Sequence, residues 1–151
     1  MSQRLDHTAA SPAGMKAMGH VYGYISECGL PKELIDLVFY RVSLINGCAY
    51  CIDSHPRDLL KHGMSVEKLL LVPVWHEAGP LFTDLEKAAL RWTETVVHVA
   101  QTHIPDEEFA AAREYFSEKE LVDLTIVIGL MNAYNFIGVG FRLPPAAVKA
   151  A

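Results

Sequence analysis

Cys48-Ala-Tyr-Cys51-Ile-Asp-Ser-His55 places two thiols three positions apart, with an imidazole four positions beyond the second. If this stretch is helical, positions 48, 51 and 55 are related by i, i+3 and i+7, and both sulfurs and the ring share one stripe. A helix N-terminus near Cys48 adds unpaired N–H groups and a partial positive charge, which favour thiolate over thiol. The chemistry this suits is nucleophilic and redox-active. A thiolate zinc cluster is disfavoured, because the chain holds three cysteines, has no second CxxC and has no HxxxH. A mixed site of Cys48, Cys51, His55 and a neighbouring carboxylate stays open. A purely structural disulfide constrains the unfolded chain little across so short a loop. A thioredoxin-like motif needs a βαβ context, and no alternating strand pattern precedes this one.

The elements that must position these residues all read as helices. Pro12 to Glu27 is expected to form a helix stopped by Gly29. Pro31 to Ile45 forms another, with Leu34, Leu37, Val38, Val42 and Ile45 at helical spacing and Asn46-Gly47 as its end. The CxxC begins the next helix, which runs to His62-Gly63 through Pro56, a residue that removes one backbone bond. Ser65 to Val72 is a short helix and Pro73 to Pro80 a break. Thr83-Asp-Leu-Glu86 is a capping box opening a helix through Ala100. Asp106 to Tyr115 is helical, and Ser117-Glu-Lys-Glu120 caps an apolar C-terminal helix that stops before Pro144-Pro145. The chain is therefore expected to be all-α, a tail over 1–11 and one compact helical domain over 12–151. Short connections make neighbouring helices antiparallel. The hairpin at Asn46-Gly47 then brings Asp36, Tyr40 and Ser43 toward the cysteines, although an aspartate is by default a solvated residue.

A length of 151 residues with 51% hydrophobic content suits a single core. A net charge of −5 and 13 scattered basic residues argue against a nucleic-acid partner. The polar start of the chain lacks the apolar region of an export signal, and the odd thiol Cys28 fits a reducing, cytoplasmic setting. The apolar stretch Leu121 to Phe141 contains Asp123, Asn132 and Asn135, with Gly129, Gly138 and Gly140 for close packing. It reads as a core or subunit-interface helix and not a membrane span. Cys28 reads as a small buried hydrophobe, and His20, His62, His76, His98 and His103 lack partner spacing.

The run from Leu30 to His55, followed by Lys61 to Leu69, resembles the core of the AhpD-like alkylhydroperoxidases in the carboxymuconolactone decarboxylase superfamily. Arg41, Ser43, Asn46, Gly47 and Cys48 reproduce that family's Arg-x-Ser-x-x-Asn-Gly-Cys context, and Asp36 stands twelve positions before the CxxC, where the family usually has glutamate. Trp75-His-Glu77, Glu86 to Glu94 and Met131 to Asn135 are similar to weaker landmarks of longer members. At Asn135-Phe136 many relatives show Asn-Arg. The resemblance implies a compact AhpD-like fold with the CxxC at a helix start, and a thiol-dependent peroxidase in antioxidant defence. It implies Cys51 as the attacking thiol, Cys48 as the resolving one, His55 and Asp36 as the proton path, no cofactor and no metal. It further implies an external dithiol or lipoyl-type carrier as reductant and a homo-oligomer, trimeric or hexameric. Helix physics alone favours Cys48 as the more acidic thiol, whereas His55, one turn from Cys51, favours Cys51. A redox-sensing or metal-binding helical oligomer is the alternative. A muconolactone-type decarboxylase is a further one, disfavoured because such members generally lack the CxxC.

Overall fold

A computed structural model describes residues 2–149, in which ten α-helices and two 3-10 segments are found and no strand occurs among the described residues. The helices are α1 (His7–Ala10), α2 (Pro12–Ser26), α3 (Lys32–Asn46), α4 (Ala49–Lys61), α5 (Val66–Leu71), α6 (Asp84–Val97), α7 (Val99–Thr102), α8 (Asp106–Arg113), α9 (Glu118–Gly140) and α10 (Ala146–Lys149). Both expected capping boxes are present, Thr83 with Glu86 at α6 and Ser117 with Glu120 at α9. The all-α fold is as the sequence implies. The break at 73–80 is filled by the 3-10 segments Val72–Glu77 and Gly79–Leu81, and α6 stops at Val97, three residues short of the expected Ala100.

α3 and α6 supply residues to two apolar clusters. Leu34, Ile35, Val38, Phe39 and Val42 of α3 join Ala89 and Trp92 of α6 and the buried face of α9. Leu37 and Tyr40 join Leu90, Leu59, Leu69, Val72, Trp75 and Phe82 on the other side. A helix with buried residues on this many sides must be enclosed by others, and α3 is, being packed by α4, α6 and α9. Tyr40, expected near the cysteines, belongs to the second cluster instead. Arg41 and Trp75 both donate to Glu94 Oε1, at 2.9 and 2.6 Å. These three resemblance landmarks thus tie the 3-10 segment to α3 and α6.

α9 is long and apolar enough by length and composition to cross a membrane. Here it lies within the bundle, against α2, α3, α4, α6 and α8. Its isolated polar residues are paired: Asp123 accepts from Tyr24 and Lys119, as buried polar groups must be. The segment expected as an N-terminal tail carries the helical turn α1. Its Arg4 donates to the carbonyls of Phe141 and Gly140, fixing it to the end of α9.

Candidate active site

The site is built at the corner between α3 and α4. Gly47 ends α3 with φ at 66°, a left-handed conformation that glycine adopts without Cβ strain. Cys48 follows in extended conformation as the N-cap of α4, and its Sγ accepts from the Cys51 backbone N–H at 3.4 Å. Cys51 therefore lies in the first turn of α4, where backbone N–H groups lack helical partners, while Cys48 stands just outside the helix. The two are joined as a disulfide, with Cα atoms 5.3 Å apart. The single face expected for three residues thus holds for Cys51 and His55, with Cys48 at the cap.

The two sulfurs have different surroundings. Cys51 lines a cavity of about 510 Å³ and Cys48 does not. Cys48 is instead sealed by α9: a Cβ placed on Gly138 would lie 2.7 Å from its Sγ, so only glycine permits this approach. Gly129 and Gly140, which also suggested close packing, have open space at that position. The cavity is walled by Phe39, Met15, Met131 and Ile137, by the rings of Tyr22, Tyr50 and Tyr134, and by the polar side chains of Gln3, His7, Thr8, Ser54 and His55. No Lys, Arg, Asp or Glu lines it. Its volume is within the range of small-molecule sites.

His55 packs its ring 5.4 Å from that of Phe39. Burial lowers its pKa to about 4, against which the charge of Asp58 acts in the opposite direction. The imidazole is therefore neutral at physiological pH and free to accept a proton. A thiolate formed beside it adds a negative neighbour, which favours the imidazolium.

The expected Asp36–His55 pairing is not what the structure places. Asp36 Oδ2 lies 3.0 Å from His62 Nδ1, although that buried oxygen receives no well-aligned hydrogen bond. Burial raises the Asp36 pKa, with His62 opposing and Asp58 adding to the rise. The reason lies in hairpin geometry. Two antiparallel helices turning at Gly47 set Phe39 opposite His55, and Asp36, nearly one turn earlier, faces the far end of α4. Reflecting residue numbers about Gly47 sets Asp36 opposite Asp58, one turn short of His62 and away from His55. Asp36 reaches the cavity side only through charge, as one of the influences that, after burial itself, raise the pKa of Tyr22.

Behind Cys51 lies a polar cluster that sequence reasoning did not assign. Asn135, wholly buried, donates through Nδ2 to Cys51 Sγ at 3.1 Å, to Ser43 Oγ at 3.1 Å and to Met131 Sδ at 3.4 Å. Asn46 Nδ2 donates to Asn135 Oδ1 at 3.0 Å and to Asn132 Oδ1 at 2.7 Å. Asparagines within an otherwise apolar helix were the available signal, since such groups must find partners. Ser43 is thus brought to the cysteines, as the hairpin implied. His7 was also missed. It lines the cavity from α1, and its Nδ1 is buried with no hydrogen-bond partner. Cys28 is a free, half-buried thiol packed against the larger core. Among the described residues, no group of three or more His, Cys, Asp or Glu side chains converges to hold a metal ion.

The fold that carries this site has counterparts among known proteins. The chain is 33% identical over 139 residues to the uncharacterized protein YdfG of Bacillus subtilis, covering 92% of this chain and 94% of that one. A solved structure from Agrobacterium tumefaciens superposes with a TM-score of 0.91 at 38% identity, over 95% of this chain and 98% of that one. It is a protein of unknown function with a provisional description as the antioxidant defence protein AhpD. The alkyl hydroperoxide reductase AhpD of Maricaulis maris matches more locally, 44% identical over 41 residues, or 27% of this chain and 24% of that protein. The carboxymuconolactone decarboxylase family pattern matches residues 12–95. With that match spanning more than half of the sequence and the whole fold shared, the chain belongs to the carboxymuconolactone decarboxylase family, as an AhpD-like member.

Proposed function

We propose that this protein is a thiol-dependent peroxidase that reduces organic hydroperoxides through the Cys51–Cys48 pair. The observation that carries this reading is the unequal placement of the sulfurs: Cys51 faces the cavity beside a neutral imidazole, and Cys48 lies behind it within disulfide reach. A cavity of about 510 Å³ lined by apolar and tyrosine side chains has room for the organic part of such a substrate.

In the reduced enzyme His55 takes the proton of the Cys51 thiol. The thiolate attacks the distal peroxide oxygen, the O–O bond breaks, and the departing alkoxide takes the proton from His55 and leaves as alcohol. Cys51 is then a sulfenic acid. The Cys48 thiol displaces its hydroxyl as water, forming the disulfide. An external dithiol, free or on a lipoyl-type carrier, attacks the disulfide, is itself oxidised to a disulfide, and returns both cysteines to thiols. The cycle belongs in a reducing, cytoplasmic compartment. Asp36, held near His62, tunes the charge around the site without touching sulfur.

The chain also assembles with copies of itself through α9, a predominantly apolar helix on which Val122 and Phe136 are 59% and 68% exposed. Light scattering after size exclusion reads that state directly.

The test of the peroxidase reading is consumption of cumene hydroperoxide by purified protein with dihydrolipoamide as reductant. One cumyl alcohol should appear per dithiol oxidised. If the reduced protein forms no Cys48–Cys51 disulfide on stoichiometric peroxide, read by intact mass, the reading falls.

A further inference from the structure

The cavity accounts for one side of Cys51. The other side is closed by Asn135, which does not line the cavity and has no exposed surface. A side-chain amide buried in an apolar helix is costly unless its groups are used, and here the direction in which it is used is fixed twice. Asn46 donates to Oδ1, so the oxygen end faces Asn46. Ser43 commits its own hydroxyl proton to the Phe39 carbonyl at 2.8 Å, leaving only lone pairs toward Asn135. Both neighbours require the NH₂ end to face Ser43 and Cys51. Its two protons meet three acceptors, Ser43 Oγ, Met131 Sδ and Cys51 Sγ, all of them uncharged in the disulfide state.

Reduction and ionisation change that balance. A thiolate is the one charged acceptor of the three, and hydrogen bonds to charged atoms are roughly twice as strong as neutral ones.

We propose that Asn135 is a catalytic residue, whose Nδ2–H holds the negative charge of the Cys51 thiolate from behind while His55 takes its proton on the cavity side. Asn46 and Ser43 act as positioning residues for that amide. The proposal rests on Cys51 being the attacking thiol. It explains how a sulfur in an enclosure without cations can ionise. The titratable side chains lining the cavity besides Cys51 are His55 of α4, Tyr22 of α2, Tyr134 of α9, Tyr50 of α4 and His7 of α1, with Cys48 behind the sulfur and Asp58 of α4 acting on His55 through its negative charge, and none is a lysine or arginine. Helix α4 offers only its first-turn N–H groups. A fixed amide donor supplies what the missing cations do not.

The experiment follows alkylation of Cys51 by iodoacetamide against pH in the reduced protein, read peptide by peptide to exclude Cys28 and Cys48. Asn135→Leu keeps the volume and removes the donor, and should move the midpoint upward by about one pH unit, the size of one hydrogen bond to a charged atom. Asn46→Leu, which frees the amide to turn, should move it the same way by less. A folded Asn135→Leu protein with an unchanged midpoint overturns the proposal. Should that variant not fold, the unmutated protein serves. In the reduced, ¹⁵N-labelled protein the Asn135 side-chain amide protons should shift with the Cys51 midpoint and stay fixed in the disulfide form. Amide resonances indifferent to that midpoint overturn it equally. Neither readout uses peroxide. Failure of the peroxidase reading appears in the cumene hydroperoxide assay, and failure of the Asn135 role appears here.

Discussion

α4 carries one histidine at its middle and another at its C-terminal cap, and they are made differently. His55, at the middle of the helix, is half-buried against Phe39 and has no carboxylate partner, and desolvation lowers its pKa to about 4. His62, at the C-terminal cap, is partly exposed and has Asp36 at 3.0 Å. Desolvation keeps the first neutral at physiological pH. The second lies beside a carboxylate whose own pKa is raised by burial. Proximity in sequence to a CxxC therefore does not assign an acid to its histidine; the packing of α3 on α4 does.

The largest effect expected at the sulfur end is loss of activity. Cys51→Ser should abolish peroxide reduction, while Cys48→Ser should react once and stop as a sulfenic acid, trapped by dimedone and seen by mass. If Cys48→Ser were the unreactive variant, the cavity-facing assignment would be reversed.

His55→Ala should slow peroxide reduction by about 10²-fold, the lower end of general-base contributions, in stopped-flow assays. The same ring sets a stability signature. Its folded pKa lies below the unfolded 6.5, so on acidification the unfolded chain takes the proton first. Stability present above 6.5 is lost as pH falls toward 4, on the order of 3 kcal/mol. Denaturant melts of the disulfide form should show this decline, and His55→Phe should flatten it.

Gly138→Ala pushes a methyl against Cys48 Sγ. In the disulfide the sulfur cannot turn away, whereas in the dithiol it can, so the cost of about 1–3 kcal/mol for overpacking should fall mainly on the oxidised form. Comparing thermal unfolding of oxidised and reduced protein checks this; equal losses in both would mean that α9 shifts as a whole.

The smallest effect belongs to the far end. Asp36→Asn should slow peroxide reduction less than His55→Ala does, because Asp36 contacts His62 and not His55. Its stability effect has the opposite sign to that of His55. With its pKa raised in the fold, protonation favours the folded state as pH falls, and that advantage is lost as pH rises through the folded value. Asp36→Asn should therefore leave neutral-pH stability unchanged or raised. A loss of activity matching His55→Ala would restore a direct acid–histidine relay and erase the contrast.

The sequence by itself determined the helices, because capping boxes, glycine stops and 3.6-residue periodicity are local rules carried by neighbouring residues. Thr83-Asp-Leu-Glu86 and Ser117-Glu-Lys-Glu120 cap α6 and α9 as written. It likewise put Cys51 and His55 on one helix face, since four residues span one turn. What it could not supply were contacts across long separations. The Asp36 partner depended on hairpin register, the sealing of Cys48 on Gly138 some ninety positions later, and the amide on Cys51 on how α9 rotates against α3. The cavity wall from Gln3 to Thr8 depended on Arg4 reaching Gly140. These were decided by tertiary packing, because side chains from different elements meet only once the apolar faces have chosen how to stack.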